Sequence, residues 1–535
     1  MSNESLVKEP GDCDVLVVGG GVNGSGIARD LAGRGHRVLL CERDDLAAHT
    51  SSASTKLVHG GLRYLEHREF RLVRHALQER EVLLRSAPHI MRAMRFVVPL
   101  APGARPAWLV RAGLFLYDHL APRGILPPTQ SIDLRGDELG AALAAGLTHA
   151  FVYSDGWVDD ARLVVLNAID AKERGATVLT RTECVQASAH AQGWVARLRE
   201  AGGAQREVRA RALVNATGPW ADSWLGDCVR DAHGAPLHSR PLRLVKGSHI
   251  VVPRRFSHDH GYLFQNLDGR VIFALPYERE FTLIGTTELE FTGDPRGVRI
   301  EPGEIDYLCQ QASRWLREPV RPHDVRWTYS GVRPLIEDEP GSAASAVTRD
   351  YALQLREVEG APLLNVWGGK ITTYRRLSEE AADEISARLG ERRAAWTRTA
   401  SLPGGDLREW AASPSRPDED FARFLAAAAR RWPWLDAGLL QRYARSYGTR
   451  MERVLADARD AGDLGAQVAP GLHEAELEYL VREEWARTSE DVLWRRSKLG
   501  LHIDAAQARE VASWMGQPRS PLLSESARSG GRGES

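Results

Sequence analysis

Residues 14–42 read DVLVVGGGVNGSGIARDLAGRGHRVLLCE, and this stretch decides the fold. Val15–Val18 is a short, β-branched apolar run of the kind that forms a buried parallel strand. Gly19, Gly21 and Gly24 then match G-x-G-x-x-G. The first glycine allows a tight turn, the second lets the backbone approach a pyrophosphate, and the third lets helix and strand pack closely. Ile27 and Leu31 lie one helical turn apart in the segment that follows, and its N-terminus is an anion site. Val38–Leu40 predicts a second strand, ending near Glu42, where the ribose-binding acid of a βαβ unit belongs. Glycine-rich turns are common, so the motif alone is weak. Strand, turn, helix, strand and acid in register predict a dinucleotide site, and on this stretch alone NAD and FAD are equal candidates.

Outward from that unit, 535 residues exceed what one hydrophobic core supports, so two or three domains are expected. With 43% hydrophobic and 26% charged residues the composition is that of an ordinary globular protein. A formal net charge of −1 argues against a general nucleic-acid binder. Cys13, Cys41, Cys184, Cys228 and Cys309 include no C-x-x-C, which suits a reducing compartment and gives no metal spacing. The first residues, MSNESLVKEPGD, lack the apolar core of a signal peptide, and no stretch approaches the ~18 apolar residues of a membrane span. The expectation is a cytoplasmic enzyme without a metal.

His49–His67, HTSSASTKLVHGGLRYLEH, has the composition of a surface loop but carries many potential donors around Gly60–Gly61. Hydroxyls and amides at a glycine turn are what a pyrophosphate and ribose need, so the segment is expected to face a ligand. Phe70–Leu84 predicts a helix with packing residues at three-to-four spacing. Trp108–Leu120 is apolar, interrupted by Arg111 and Asp118. It reads either as a buried helix, the favoured account, or as a helix lying in a membrane interface. Phe151–Ala161 predicts a turn leading into a helix from Asp160 to Arg174. Val208–Val214 predicts a strand running into NATGPWAD, whose small residues let the chain pass close to a second ligand segment. Leu242–Pro253, Arg270–Pro276 and Thr282–Thr286 form a run of strands without helices, predicting a second, antiparallel layer. Val325–Pro334 and Leu363–Arg376 each pair a strand with a glycine turn and basic groups, the latter through Gly368, Gly369 and Lys370. Beyond SLPGGD (Ser401–Asp406) the periodicity turns helical at Phe421–Arg431, Leu439–Tyr447, Met451–Ala461, Glu474–Ala486 and Asp504–Met515. Pro518–Ser535 has the composition of a disordered tail.

With these segments joined, the chain resembles the aerobic, FAD-dependent glycerol-3-phosphate dehydrogenase family. The resemblance rests on GGGVNGSGIARDLAGRG, TSSASTKLVHGGLRYLE, SDGWVDDARL, NATGPW, KGSHIVVP, YSGVRPL, GGKITTYRRL and DVLWRRSKLGL, and runs from about Asp14 to Asp504. It implies a mixed α/β fold: a glutathione-reductase-like Rossmann FAD domain, an inserted mixed-sheet substrate domain, and a C-terminal α-helical domain. The FAD and substrate domains would occupy 12–395, with FAD parts at 12–90, 150–235 and 330–395 and substrate parts at 91–149 and 236–329. The helical domain would occupy 400–517, followed by a tail at 518–535. Carried over, Gly19, Gly21 and Gly24 would hold the FAD pyrophosphate and Glu42 the adenosine ribose. Ser51, Ser52, Ser54, Lys56 and Leu57 would run along the cofactor, and Ala216 and Gly218 would close the adenine side. Gly369, Lys370, Ile371 and Thr372 would meet the isoalloxazine and ribityl end. Arg63, Tyr64, Arg333 and Lys370 would surround the substrate, with His249 nearby.

Residue chemistry agrees with that assignment. Glycerol 3-phosphate carries nearly two negative charges, and guanidinium groups grip phosphate by paired bonds. Oxidation at C2 needs a hydride acceptor and a base for the hydroxyl proton. His249 is the candidate base, although a lone strand histidine is as often structural. Arg333 can instead stabilise a developing alkoxide, and Lys370 the negative charge of reduced flavin. The resemblance further implies a quinone acceptor, peripheral attachment to the cytoplasmic face of the inner membrane, and a homodimer. A glycerol-3-phosphate oxidase, passing electrons to oxygen and releasing hydrogen peroxide, is the alternative.

Overall fold

The computed structural model describes residues 13–66, 68–101, 105–238, 242–336, 350–391, 393–410 and 416–517; the stretch read as a C-terminal tail lies outside them. Two compact units divide after Ala456. In the first, the strand Cys13–Val18 is paired in parallel on both sides, with Val38–Cys41 and with the end of Gln205–Asn215. Thr177–Leu179 and Ala361–Trp367 extend this parallel core at its two edges. Val15, Leu16 and Val17 are fully buried, as a strand covered on both faces requires. The glycine-rich turn leads into the helix Val22–Gly33, the crossover to Val38–Cys41. This helix packs closely on Tyr374–Arg388: a Cβ at Gly26 would lie 2.4 Å from Ser378 Oγ.

Thr182–His190, Gly193–Glu200 and Gln205–Asn215 form an antiparallel meander that returns the chain to the parallel core. The glycine-turn and ATG motifs are thereby brought side by side, since Val18 pairs with Asn215.

The second layer is a ten-stranded mixed sheet. Near one edge Leu242–Pro253 runs antiparallel to Trp327–Ile336 and to Phe281–Gly285. Its far half contains Met91–Pro99 and His149–Val158, antiparallel to each other. Here the structure corrects the sequence reading: residues 151–158, expected as a turn, are a buried strand. Ser-Asp-Gly looks turn-like because a carboxylate is seldom buried, but Asp155 is paired with Arg80 at 2.6 Å and accepts from the Tyr117 hydroxyl. Burial raises the Asp155 pKa above the ordinary carboxylate value, partly opposed by Arg80.

The expected helix Trp108–Leu120 is present as Ala107–His119, yet only Val110, Leu114 and Tyr117 are buried. Trp108 and Phe115 remain 71% and 64% exposed, so the buried-helix reading does not hold. After Pro417–Arg431 and Ala437–Tyr447, the helix expected over 451–461 stops at Leu455, where Ala456 turns left-handed at φ +44°. The second unit contains the hairpin Gln467–Ala469/Leu472–His473 and the helices Glu474–Glu484 and Ala505–Gly516.

Candidate active site

A cleft of about 530 Å³ runs from the glycine-rich turn to the strand Trp327–Ile336, entirely within the first unit. At one end Gly19 has φ +112°, and a Cβ there would lie 2.5 Å from the Ala216 carbonyl oxygen. Gly24 is tighter: its Cβ would come 1.9 Å from Gly19 O. Gly21 faces Ser51, whose hydroxyl accepts from Val22 N at 2.9 Å. Glu42 accepts from Gly20 N at 2.6 Å and Asp44 N at 2.8 Å, bracing the turn from behind. Burial raises its pKa, against the pull of those two amides.

Ala216 and Gly218 line the same end, together with Trp220, against which Arg43 stacks at 3.9 Å. Ser51, Ser54, Thr55 and Leu57 continue the wall. Elsewhere along the cleft, successive left-handed glycines, Gly368 (φ +66°) and Gly369 (φ +92°), turn the chain from Ala361–Trp367 into the helix Tyr374–Arg388. Asn23 Nδ2 donates to Gly368 O at 3.3 Å and ties this turn to the first helix. Lys370, Ile371 and Thr372 line the cleft there, with Thr372 Oγ1 bonded to both the amide and the carbonyl of His59.

Lys370 Nζ stands 4.8 Å from the Tyr64 ring centroid. Arg333 lines the opposite wall from Trp327–Ile336, and Gly247 leaves it room: a Cβ there would lie 2.7 Å from its guanidinium. Lys370, Arg333 and Tyr64 thus come from three distant segments to line the same cleft. The side chain of Arg63 lies outside the described residues.

Four of the described residues singled out in the sequence do not line the cleft: Gly24, which packs against the Gly19 carbonyl, and Ser52, Lys56 and His249. Ser52 donates to His49 O at 3.2 Å. Lys56 turns inward and is buried on Asp160, Nζ to Oδ2 2.7 Å. His249 is 1% exposed, behind Thr55, with its Nε2 3.0 Å from the Thr55 hydroxyl and its ring stacked on Tyr329 at 4.7 Å. Burial, then Lys56, then Arg333 hold its pKa well below the ordinary histidine value. Thr55, one of the donors of the serine-rich segment expected to face a ligand, does line the cleft. Conversely, Asn23, Trp220, Gln265 and Arg105 line it without having been singled out as site residues. Trp220 sits inside the NATGPW motif, so it was within reach; Gln265 and Arg105 have no local signature.

The residues fit an FAD. Asn23 Oδ1 is buried without a hydrogen-bond partner among the described residues, beside a turn that only glycines can form and at the start of a helix without a side-chain cap. The uncapped helix N-terminus suits an anionic group such as a pyrophosphate, and the orphaned Asn23 oxygen, an acceptor, suits a hydroxyl or N–H of the same ligand. Among the described residues, no group of three or more His, Cys, Asp or Glu is placed to hold a metal.

Residues 14–375 match the FAD dependent oxidoreductase family, and 395–519 match the C-terminal domain of alpha-glycerophosphate oxidase. The chain is 49% identical to D-erythritol 1-phosphate dehydrogenase of Brucella abortus, over 95% of this chain and 98% of that one. It is 46% identical to the aerobic glycerol-3-phosphate dehydrogenase of Escherichia coli, over 94% and 97% of the two chains. Its fold matches the glycerol-3-phosphate dehydrogenase from Bacillus halodurans, solved with FAD, at a TM-score of 0.73 and 26% identity, covering 94% and 90%. A glycine-turn cleft built for FAD, the matching family pattern and these relatives agree: the chain belongs to the FAD-dependent oxidoreductases, in the glycerol-3-phosphate dehydrogenase family.

Proposed function

We propose that this protein oxidises sn-glycerol 3-phosphate to dihydroxyacetone phosphate, the C2 hydride going to FAD and the electrons onward to a membrane quinone. The presence of Arg333, Lys370 and Tyr64 in the lining of one cleft, with Lys370 against the Tyr64 ring, supports this reading. Two cations there match a dianionic phosphate, and Arg333 offers the paired donors that fix its orientation. The amides behind Gly21 take the pyrophosphate, Glu42 the ribose, and Ser51, Ser54 and Leu57 the length of the cofactor. Ala216 and Gly218 flank the adenine, and the turn Gly369–Thr372 meets the flavin ring. Bound FAD supplies the hydride acceptor. His249, kept neutral by its burial, takes the hydroxyl proton through Thr55, whose hydroxyl lines the cleft and meets the imidazole Nε2 at 3.0 Å.

The 46–49% identical relatives are dehydrogenases by name, which favours a dehydrogenase over an oxidase. A second reading follows from the Brucella relative: a four-carbon polyol phosphate, D-erythritol 1-phosphate, as substrate. The test is anaerobic bleaching of the flavin by each compound in turn. Bleaching by glycerol 3-phosphate at the lower concentration supports the first reading; preference for the tetritol phosphate replaces it with the second; bleaching by neither overturns both. Peroxide released in air during turnover without added quinone would instead identify an oxidase.

The membrane reading rests on one face. Phe70, Trp108, Leu109, Phe115, Leu116 and Leu267 are the large exposed hydrophobics among the described residues. Four belong to the helix Ala107–His119; Phe70 shares a groove with Leu120 at its C-terminal end. Leu267 follows Gln265, which accepts from Arg105 beside the helix N-terminus. An apolar strip with Arg71, Arg74 and Arg111 along it suits the headgroup level of an anionic bilayer. Among the described residues, no helix is long and apolar enough to cross a membrane.

A further inference from the structure

We propose that Lys56 and Asp160 form a positioning pair that sets the charge and the seating of His249 through the ring of Tyr329. The proposal rests on the reading of His249 as the proton acceptor.

Four neighbouring residues of one loop wrap this group. Lys56 Nζ donates to Asp160 Oδ2 at 2.7 Å and to Ser52 O at 2.5 Å, and stands 4.6 Å from the Tyr329 ring centroid. Tyr329 stacks on His249 with centroids 4.7 Å apart and planes inclined by 17°. Its hydroxyl donates to Ser54 O at 2.8 Å, while the Ser54 hydroxyl donates to the same Asp160 oxygen as Lys56. Thr55 then meets His249 Nε2. Lys56 adopts φ +63° to make this turn, a conformation costing about 1 kcal/mol in a non-glycine residue. Asp160 opens the helix Asp160–Glu173, where an anion is favoured, so the pair is anchored to a rigid element.

The charges around His249 are arranged asymmetrically. Lys56 faces it from the loop and Arg333 from Trp327–Ile336, both cations. Asp160 lies on the far side of Lys56. Tyr329 and, on Val271–Tyr277, Tyr277 are kept neutral by burial, which raises both hydroxyls. Gly285, opposite His249 on the adjoining strand, contributes no charge, and a Cβ there would collide with the imidazole at 2.2 Å. A cation behind the stack disfavours the imidazolium and leaves the ring neutral, able to take a proton.

A merely structural pair and a charge-setting pair differ in sign. Removing the Lys56 charge relieves repulsion and raises the His249 pKa; removing the Asp160 charge leaves Lys56 uncompensated and lowers it. The full-length holoenzyme is compared with Lys56→Met, Lys56→Arg, Asp160→Asn and His249→Gln. Two quantities are read: the acid limb of kcat/KM, and the His249 NMR titration in histidine-labelled protein, assigned by its loss in His249→Gln. Lys56→Met is expected to move both to higher pH by on the order of one unit, Asp160→Asn to lower pH, and Lys56→Arg to restore the wild-type values. Shifts of the same sign, or none, overturn the proposal. If Lys56→Met does not fold, Lys56→Met/Asp160→Asn measured against Asp160→Asn isolates the same charge without stranding a carboxylate. An acid limb unchanged in His249→Gln would sink the proton-acceptor reading, while the NMR titration still decides what Lys56 does to His249.

Discussion

At the scale of single residues, Arg333 shows how a site is made from what surrounds it. Its guanidinium reaches the cleft wall because Gly247, on the paired strand, presents no side chain. On the proposed function, Arg333→Ala would remove paired charge-assisted bonds to phosphate, worth about 1.5–3 kcal/mol. A rise of roughly 10- to 150-fold in KM is expected, with flavin absorbance retained, and an unchanged KM would remove Arg333 from the phosphate site. Lys56 teaches the complementary lesson: a lysine in a ligand-facing motif points away from the ligand when a buried carboxylate claims it. Nothing in the local sequence of TSSASTKL distinguishes the two directions, because Asp160 is 104 residues away in the chain.

Among the elements, the strand–turn–helix of residues 13–33 was legible because its constraints are local. Gly24 has to be glycine for a reason its own neighbourhood supplies: the Gly19 carbonyl occupies the space a methyl would need. Since that neighbour is backbone, Gly24→Ala must separate helix from strand, and overpacking of this kind costs about 1–3 kcal/mol. The expected outcome is loss of bound FAD on gel filtration and a lower unfolding temperature; full FAD occupancy in Gly24→Ala would contradict the close-packing argument. The strand His149–Val158 was not legible for the opposite reason. Its Ser-Asp-Gly is tolerated in a buried sheet only because Arg80 and Tyr117, from two separate helices, satisfy Asp155.

For the whole molecule, the exposed apolar strip and the cleft meet at Arg105, which lines the cleft, pairs with Glu66 at 2.7 Å and precedes the helix carrying Trp108. A bilayer on that face would put the cleft mouth beside the quinone pool. Each exposed aromatic side chain that becomes buried contributes about 1.5–3 kcal/mol. Trp108→Asp/Phe115→Asp is therefore expected to abolish co-sedimentation with anionic phospholipid vesicles. Bleaching of the flavin by substrate should persist, since both side chains point to solvent. Undiminished vesicle binding would remove this helix from the membrane contact.

The sequence by itself determined the βαβ unit, the return of the ATG strand to it, the antiparallel strands within the mixed second layer and the glycine-lysine turn. The signal for each lies in a local motif, whose turn geometry and apolar periodicity carry the information. Only the tertiary structure decided which side chains face the cleft. Lys56, Ser52 and His249 stand behind its wall, Thr55 and Trp220 stand in it, and the helix Ala107–His119 is left half uncovered. Those outcomes depend on partners brought together across the two sheets, and a side chain's direction is set by the partner it finds. The glycine-rich stretch forms one wall of the cleft, and the packing around Asp160 and Tyr329 fixes where Lys56 and His249 point.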